Sequence, residues 1–332
     1  MTAAAGRRSI PVVPTARTGR GRVAGALLLL VPCLAVAGST ATRTNAAPAG
    51  RLQLGILGNA ARFTQQTGQQ SSVRHVFASL YQAGAFPRIL EQLRPVPMLA
   101  LKPGGTPPLD IAQGKTDTYL VTLNGALASF GGLVYVCPMP EMNGHWNEYC
   151  AFERDGSSRG PRYSTASFRK AFARIAILAR GGPKGQVNAQ LRKLGLPGVT
   201  SDLSRTQARI VWNPQGYGAP DIPANSAAAY YPGDKYVDVV ANDLYRQSTG
   251  VAWEANEKLY AAHRNKPYAI AEWGLWGMDD PAYVQQMAAF ARTHPRMEFL
   301  SYFNSKPGSL WDLGSKPRSR HAYRRFITPL GG

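Results

Sequence analysis

Residues Gly131 to Trp146 read GGLVYVCPMPEMNGHW, and the fold turns on how that stretch is taken. Leu133, Val134, Tyr135 and Val136 form a short apolar run of β-favouring residues, which reads as a buried strand. Glu141 follows it as a lone carboxylate, where Asn143-Gly144, a turn dipeptide, opens the chain toward solvent. A second stretch repeats the arrangement. Tyr268-Ala269-Ile270-Ala271 is apolar, and Glu272, Trp273 and Gly274 come next. Two strand-end glutamates suggest a pair, and the carboxyl ends of strands are where barrel enzymes hold their chemistry.

Outward from these two strands the chain alternates. Toward the amino end, strands are predicted at Leu52 to Leu57, Ser72 to Ala78 and Val96 to Leu101, with a short helix from Pro87 to Leu93. Asp110 to Phe130 reads as one long helix, and Ser164 caps another that stops at Gly181-Gly182. Further strands follow at Ala208 to Trp212, Val237 to Tyr245 and Met297 to Asn304, separated by helices around Trp253 to His263, from Pro281, and from Pro317 to Ile327. Eight strands alternating with helices describe a single-domain (β/α)₈ barrel over residues 50–332. A doubly wound open sheet would share the alternation, but no Gly-rich phosphate loop follows the first strand.

Residues 1–49 are set apart from that body. Arg17, Arg20 and Arg22 precede an apolar run from Val23 to Gly38, and small-residue cleavage sites follow at Ala35-Val36-Ala37 and Ala47-Pro48-Ala49. This is the pattern of a secretory signal peptide and short linker, so the protein is expected outside the cell. A membrane anchor would need roughly 20 apolar residues, and the run is shorter. The whole chain carries +19; the first fifty residues hold six arginines and no acid, which leaves 32 basic against 19 acidic side chains, or +13. Such a balance favours contact with anionic polymers, although no run of five or six like charges stands out. The densest group is Arg318 to Arg325, and a specific nucleic-acid partner would require clustered cations along a groove. Cys137 and Cys150 are compatible either with a disulfide or with free thiols, since strand alternation counted back from Glu141 turns Cys137 inward.

Paired carboxylates at a barrel mouth are the equipment of glycoside hydrolysis, in which one protonates the leaving oxygen and the other attacks the anomeric carbon or activates water. The bland alternative is that each acid caps or salt-bridges a loop. Beyond Glu141 come Met142-Asn143-Gly144 and Trp146. Farther along are Tyr230-Tyr231-Pro232-Gly233-Asp234, Asp243-Leu244-Tyr245, and Lys266-Pro267 ahead of Ile270-Ala271-Glu272-Trp273-Gly274. In this order the motifs resemble glycoside hydrolase family 26, from about Leu52 to the carboxyl end. The resemblance implies a retaining endo-glycosidase of the β-mannanase type with Glu141 as acid/base and Glu272 as nucleophile. Tyr245 matches the tyrosine that hydrogen-bonds the nucleophile. Flat aromatic faces pack on pyranose rings, which makes Trp146 and Trp311 candidate sugar platforms, with Trp212, Trp273 and Trp276 next.

The sequence departs from the mannanases of that family at two places. They usually carry an arginine four residues before the acid/base and a histidine immediately before it; Cys137 and Pro140 stand there instead. A carbohydrate-binding barrel without catalysis is the reading those departures favour. His145 and His263 have no partner at metal-ligand spacing, so neither metal nor cofactor is expected. The expected partner is a β-linked, mannan-like polysaccharide, acted on by a monomer with no membrane span after signal removal, with a bell-shaped pH profile on the mildly acidic side.

Overall fold

A computed structural model describes residues 52–331. The expected signal peptide and linker at 1–49 lie outside the described residues.

Eight parallel strands close into a barrel in sequence order: β1 (Gln53–Gly58), β2 (Val73–Ser79), β3 (Val96–Lys102), β4 (Val134–Pro138), β5 (Ala208–Trp212), β6 (Val239–Arg246), β7 (Tyr268–Leu275) and β8 (Met297–Ser305), which pairs back onto β1. The outer ring comprises α1 (Ala60–Thr67), α2 (Phe86–Gln92), α3 (Pro108–Ala112), α4 (Asp117–Phe130), α5 (Thr165–Arg180), α6 (Lys184–Arg192), α7 (Ala227–Tyr230), α8 (Trp253–Ala262), α9 (Pro281–Thr293) and α10 (Pro317–Phe326). The (β/α)₈ barrel expected from the alternation is the fold observed. Helix starts follow their capping residues: Asn59, Ser164 and Asp280 each accept backbone N–H groups of the first turn, and Pro281 opens α9 where no N–H is needed.

The predicted helix from Asp110 to Phe130 is two helices, broken at Gly114. Arg174 is the cause. Its fully buried guanidinium occupies the break, donating from Nε to Asp117 Oδ1 at 2.8 Å and from Nη1 to Pro197 O at 2.8 Å. Gly114 has φ +83°, and a Cβ there would lie 2.8 Å from Arg174 Nη2. A buried cation thus decides a boundary that the apolar spacing had bridged.

Side chains alternate between two cores. Val73, Met98, Tyr135, Cys137, Val211, Val239, Ala241, Ala269, Ala271 and Phe299 fill the barrel interior, and the opposite faces pack under the helices. The alternation fails in β7 at the site. Asn242 pairs with Ile270 but Asp243 pairs with Glu272, so Ala271 is an extra residue. Ala269 and Ala271 face inward, and strict alternation would send Glu272 out toward the helices. The bulge restores it to the inner face and sends Trp273 outward.

Cys137 and Cys150 are both free and buried. The question left open by the sequence therefore resolves against a disulfide, because Cys137 lies within the barrel while Cys150 Sγ sits 3.7 Å from both Asn225 Oδ1 and Tyr230 OH.

Candidate active site

Glu141 stands beyond the end of β4, on a loop rather than on the strand itself. Met139 and Glu141 adopt φ of 50° and 53°, a region that costs a non-glycine residue roughly 1–2 kcal/mol. Neighbouring strands hold the turn: Met139 N donates to Leu101 O at 2.9 Å and Glu141 N to Asn213 O at 2.6 Å. The Asn143 side chain is fully buried and braces the same loop against the one after β5, through Gln215 O, Tyr217 O and Gln215 N. Both carboxylate oxygens of Glu141 accept hydrogen bonds, one from Trp146 Nε1 at 2.9 Å and one from the Gln215 amide.

Glu272 is buried, and Tyr245 OH donates to its Oε2 at 2.7 Å. Burial, then the charge of Glu141, pushes its pKa up to about 8, against the opposing pull of the Tyr245 hydroxyl and of Lys102. Tyr245 is itself held well above the usual phenol range by burial and by Glu272, so it remains a neutral donor. A third carboxyl group joins the pair. Asp243 is buried on β6, accepts from Asn213 Nδ2 at 2.9 Å, and lies within hydrogen-bonding reach of Glu141. Burial and both glutamates raise its pKa well above the ordinary value. His75 Nε2 is 3.8 Å from Glu272 Oε1, but burial lowers the imidazole to about 3, so the contact is that of a neutral ring and not an ion pair.

These groups open into a cleft of about 750 Å³ at the carboxyl ends of the strands, lined by Glu141, Asp243 and Glu272 among others. Trp146 and Tyr217 stand on the Glu141 side, both exposed. On the Glu272 side, Tyr245 meets Trp276 and Phe303 edge-on, and Trp311 packs against both of those. Of the residues expected at the site, Glu141, Glu272, Tyr245, Trp146 and Trp311 are brought together, and the less favoured Trp276 joins them.

Trp212 and Trp273 are corrections: both are fully buried outside the cleft. Trp212 packs on Tyr231 and His263, and Trp273 stacks on Tyr323, because each follows an inward-facing residue and so faces the helices. Besides the rings of Tyr217 and Phe303, four contributors escaped the sequence reading: His75, Phe77, Asp243 and Gln215. Strand parity carried a signal for three. His75 and Phe77 continue the inward series of Val73, and Asp243 precedes Tyr245 by two. Gln215 comes from a loop and offered none. Among the described residues, no group of three or more His, Cys, Asp or Glu is placed to hold a metal ion. A shallower hollow of about 470 Å³ between α9 and α10 has no carboxylate in its lining.

No protein-family model matches the chain. Among curated proteins it is 24% identical over 243 residues to endoglucanase H of Acetivibrio thermocellus, a match covering 69% of this chain; the chain spans about a quarter (24%) of that protein's length. Among solved structures, the mannanase BCman of Bacillus subtilis superposes with a TM-score of 0.55 at 16% identity, covering 83% of this chain and 85% of that one. The modular endo-β-1,4-mannanase of Cellulomonas fimi gives 0.56 at 12% identity, over 82% and 71% of the two chains. The family 26 β-mannanase BoMan26A of Bacteroides ovatus gives 0.53 at 14%, over 83% and 88%. The chain thus has the (β/α)₈ fold of the solved family 26 β-mannanases.

Proposed function

We propose that the protein is a secreted glycoside hydrolase of family 26 that cuts a β-linked, mannan-like polysaccharide within the chain, with retention, using Glu141 as acid/base and Glu272 as nucleophile. The observation that carries this reading is the convergence of Glu141 and Glu272, from β4 and β7, on one aromatic-lined cleft with Tyr245 bonded to Glu272. The similarity to solved mannanases supports the substrate class. Aromatic faces on both sides of the pair support binding sugars on either side of the cut bond, as internal cleavage requires.

In the first step a Glu272 carboxylate oxygen bonds to the anomeric carbon while the glycosidic C–O bond breaks, and the departing oxygen takes the proton of Glu141. In the second, Glu141 takes a proton from water, the water oxygen bonds to the anomeric carbon, and Glu272 leaves. Two displacements return the original configuration. The raised Glu272 pKa means that the buried pair keeps one proton to near neutrality. The first step needs Glu272 ionised and a proton on Glu141, and the sugar oxygen must reach the Glu141 carboxyl group past the Trp146 Nε1 and Gln215 donors.

Proton NMR of the earliest product from mannan, glucomannan and mixed-linkage glucan tests the mechanism. The β-anomer first is the expected result. The α-anomer first would make the enzyme inverting, and binding of glycan without any cleavage would make it a carbohydrate-binding barrel.

A further inference from the structure

Lys102 ends β3 at the barrel mouth, half-buried, and takes no part in the steps above. Its ammonium donates to neutral acceptors, Asn147 Oδ1 at 2.9 Å and Tyr149 OH at 3.1 Å, and it lies 5.4 Å from the centre of the Phe77 ring. Each acceptor passes the effect on. Asn147 Nδ2 donates to Glu141 O at 2.9 Å and stands 3.5 Å from Pro140 O, while Tyr149 OH donates to Pro140 O at 2.6 Å.

We infer that Lys102 is a positioning residue: its ammonium orients Asn147 and Tyr149, and through them holds the turn from Met139 to Glu141 that aims the Glu141 carboxyl group into the cleft. The reason is the donor inventory. An ammonium has three donors and no acceptor, so only the Asn147 oxygen can face it, and the amide nitrogen must then face the two carbonyls. A flipped amide would set oxygen against oxygen. Tyr149 has a single hydroxyl hydrogen; with Lys102 occupying a lone pair, that hydrogen goes to Pro140 O. Without the cation, Asn147 Oδ1 loses its donor and the Tyr149 hydroxyl is free to turn its hydrogen elsewhere, which weakens two of the contacts that hold the positive-φ turn.

The inference rests on Glu141 being the acid/base, and the test separates the two. Lys102→Met and Lys102→Arg are compared on polysaccharide and on a dinitrophenyl glycoside, whose leaving group departs without a proton. Lys102→Met should lose up to about 10²-fold on polysaccharide. The dinitrophenolate burst should stay within a few-fold of wild type, and Lys102→Arg should recover most of the loss. Equal loss on both substrates, or none on either, overturns the assignment. Amide hydrogen exchange over residues 139–147 reads the turn without any activity. It should quicken at least tenfold in Lys102→Met at unchanged Tm, and unchanged exchange overturns the clamp whether or not a glycan is cut. A wild-type protein that cleaves nothing would remove the proposed function while leaving the exchange result to decide the clamp. Should Lys102→Met fail to fold, Tyr149→Phe, which deletes one arm, carries the same two comparisons with a smaller expected effect.

Discussion

Glu272 is subject to opposing pressures. Burial and the nearby Glu141 charge favour its proton, and the Tyr245 hydroxyl favours its loss; the first two prevail and lift the pKa from the ordinary 4.5 to about 8. Between those values the folded protein holds a proton that the unfolded chain has released. The favourable contribution is therefore complete below about pH 4.5 and disappears as pH rises through about 8. Glu272→Gln, which stays neutral and can still accept from Tyr245, should melt above wild type at pH 9, with the difference shrinking toward pH 5. Thermal melts across that range check it, and a constant difference would contradict the assigned cause. The carboxylates themselves were legible, because a single acid after an apolar run is conspicuous. Asp243 was less so, although its strand parity with Tyr245 set it on the inner face.

The elements that aim these residues are a loop and a bulge, and neither follows from periodicity. Strand parity puts Ala271 inside and Glu272 outside, and only the two-for-one pairing opposite Asn242 and Asp243 reverses that. The turn carrying Glu141 depends on long-range bonds to Asn213 O and, through Asn143, to Gln215, with Asn147 bonding back within the loop, and sequence spacing encodes none of these. Trp212 and Trp273 show the other side of the problem. Tryptophan near an acid draws attention as a sugar platform, yet a residue adjacent to an inward-facing position faces the helix core. Asn143→Ala deletes three buried side-chain hydrogen bonds between the β4 and β5 loops and should destabilise the protein by about 2–3 kcal/mol. Denaturant unfolding measures this. A loss under 0.5 kcal/mol, roughly that of an unremarkable surface change, would show that the two loops are held by other contacts.

For the whole molecule, the alternation of eight apolar strands with helices carried the architecture, because a parallel ring buried on both faces leaves continuous apolar runs that are visible without any structure. The break at Gly114 was hidden because it depends on Arg174, far along the chain. Export belongs to the same scale. Amino-terminal sequencing of the protein recovered from culture medium should begin after Ala37 or Ala49, and recovery only inside cells with Met1 intact would contradict secretion. The account stands most directly on the two glutamates acting as a pair, and the measurement is release of reducing ends from mannan, glucomannan, xylan and mixed-linkage glucan by wild type, Glu141→Ala and Glu272→Ala. Wild type should cleave at least one of these glycans, Glu141→Ala should retain about 10⁻² to 10⁻⁴ of that rate, and Glu272→Ala about 10⁻⁴ or less. Cleavage by either variant at close to the wild-type rate would contradict the account.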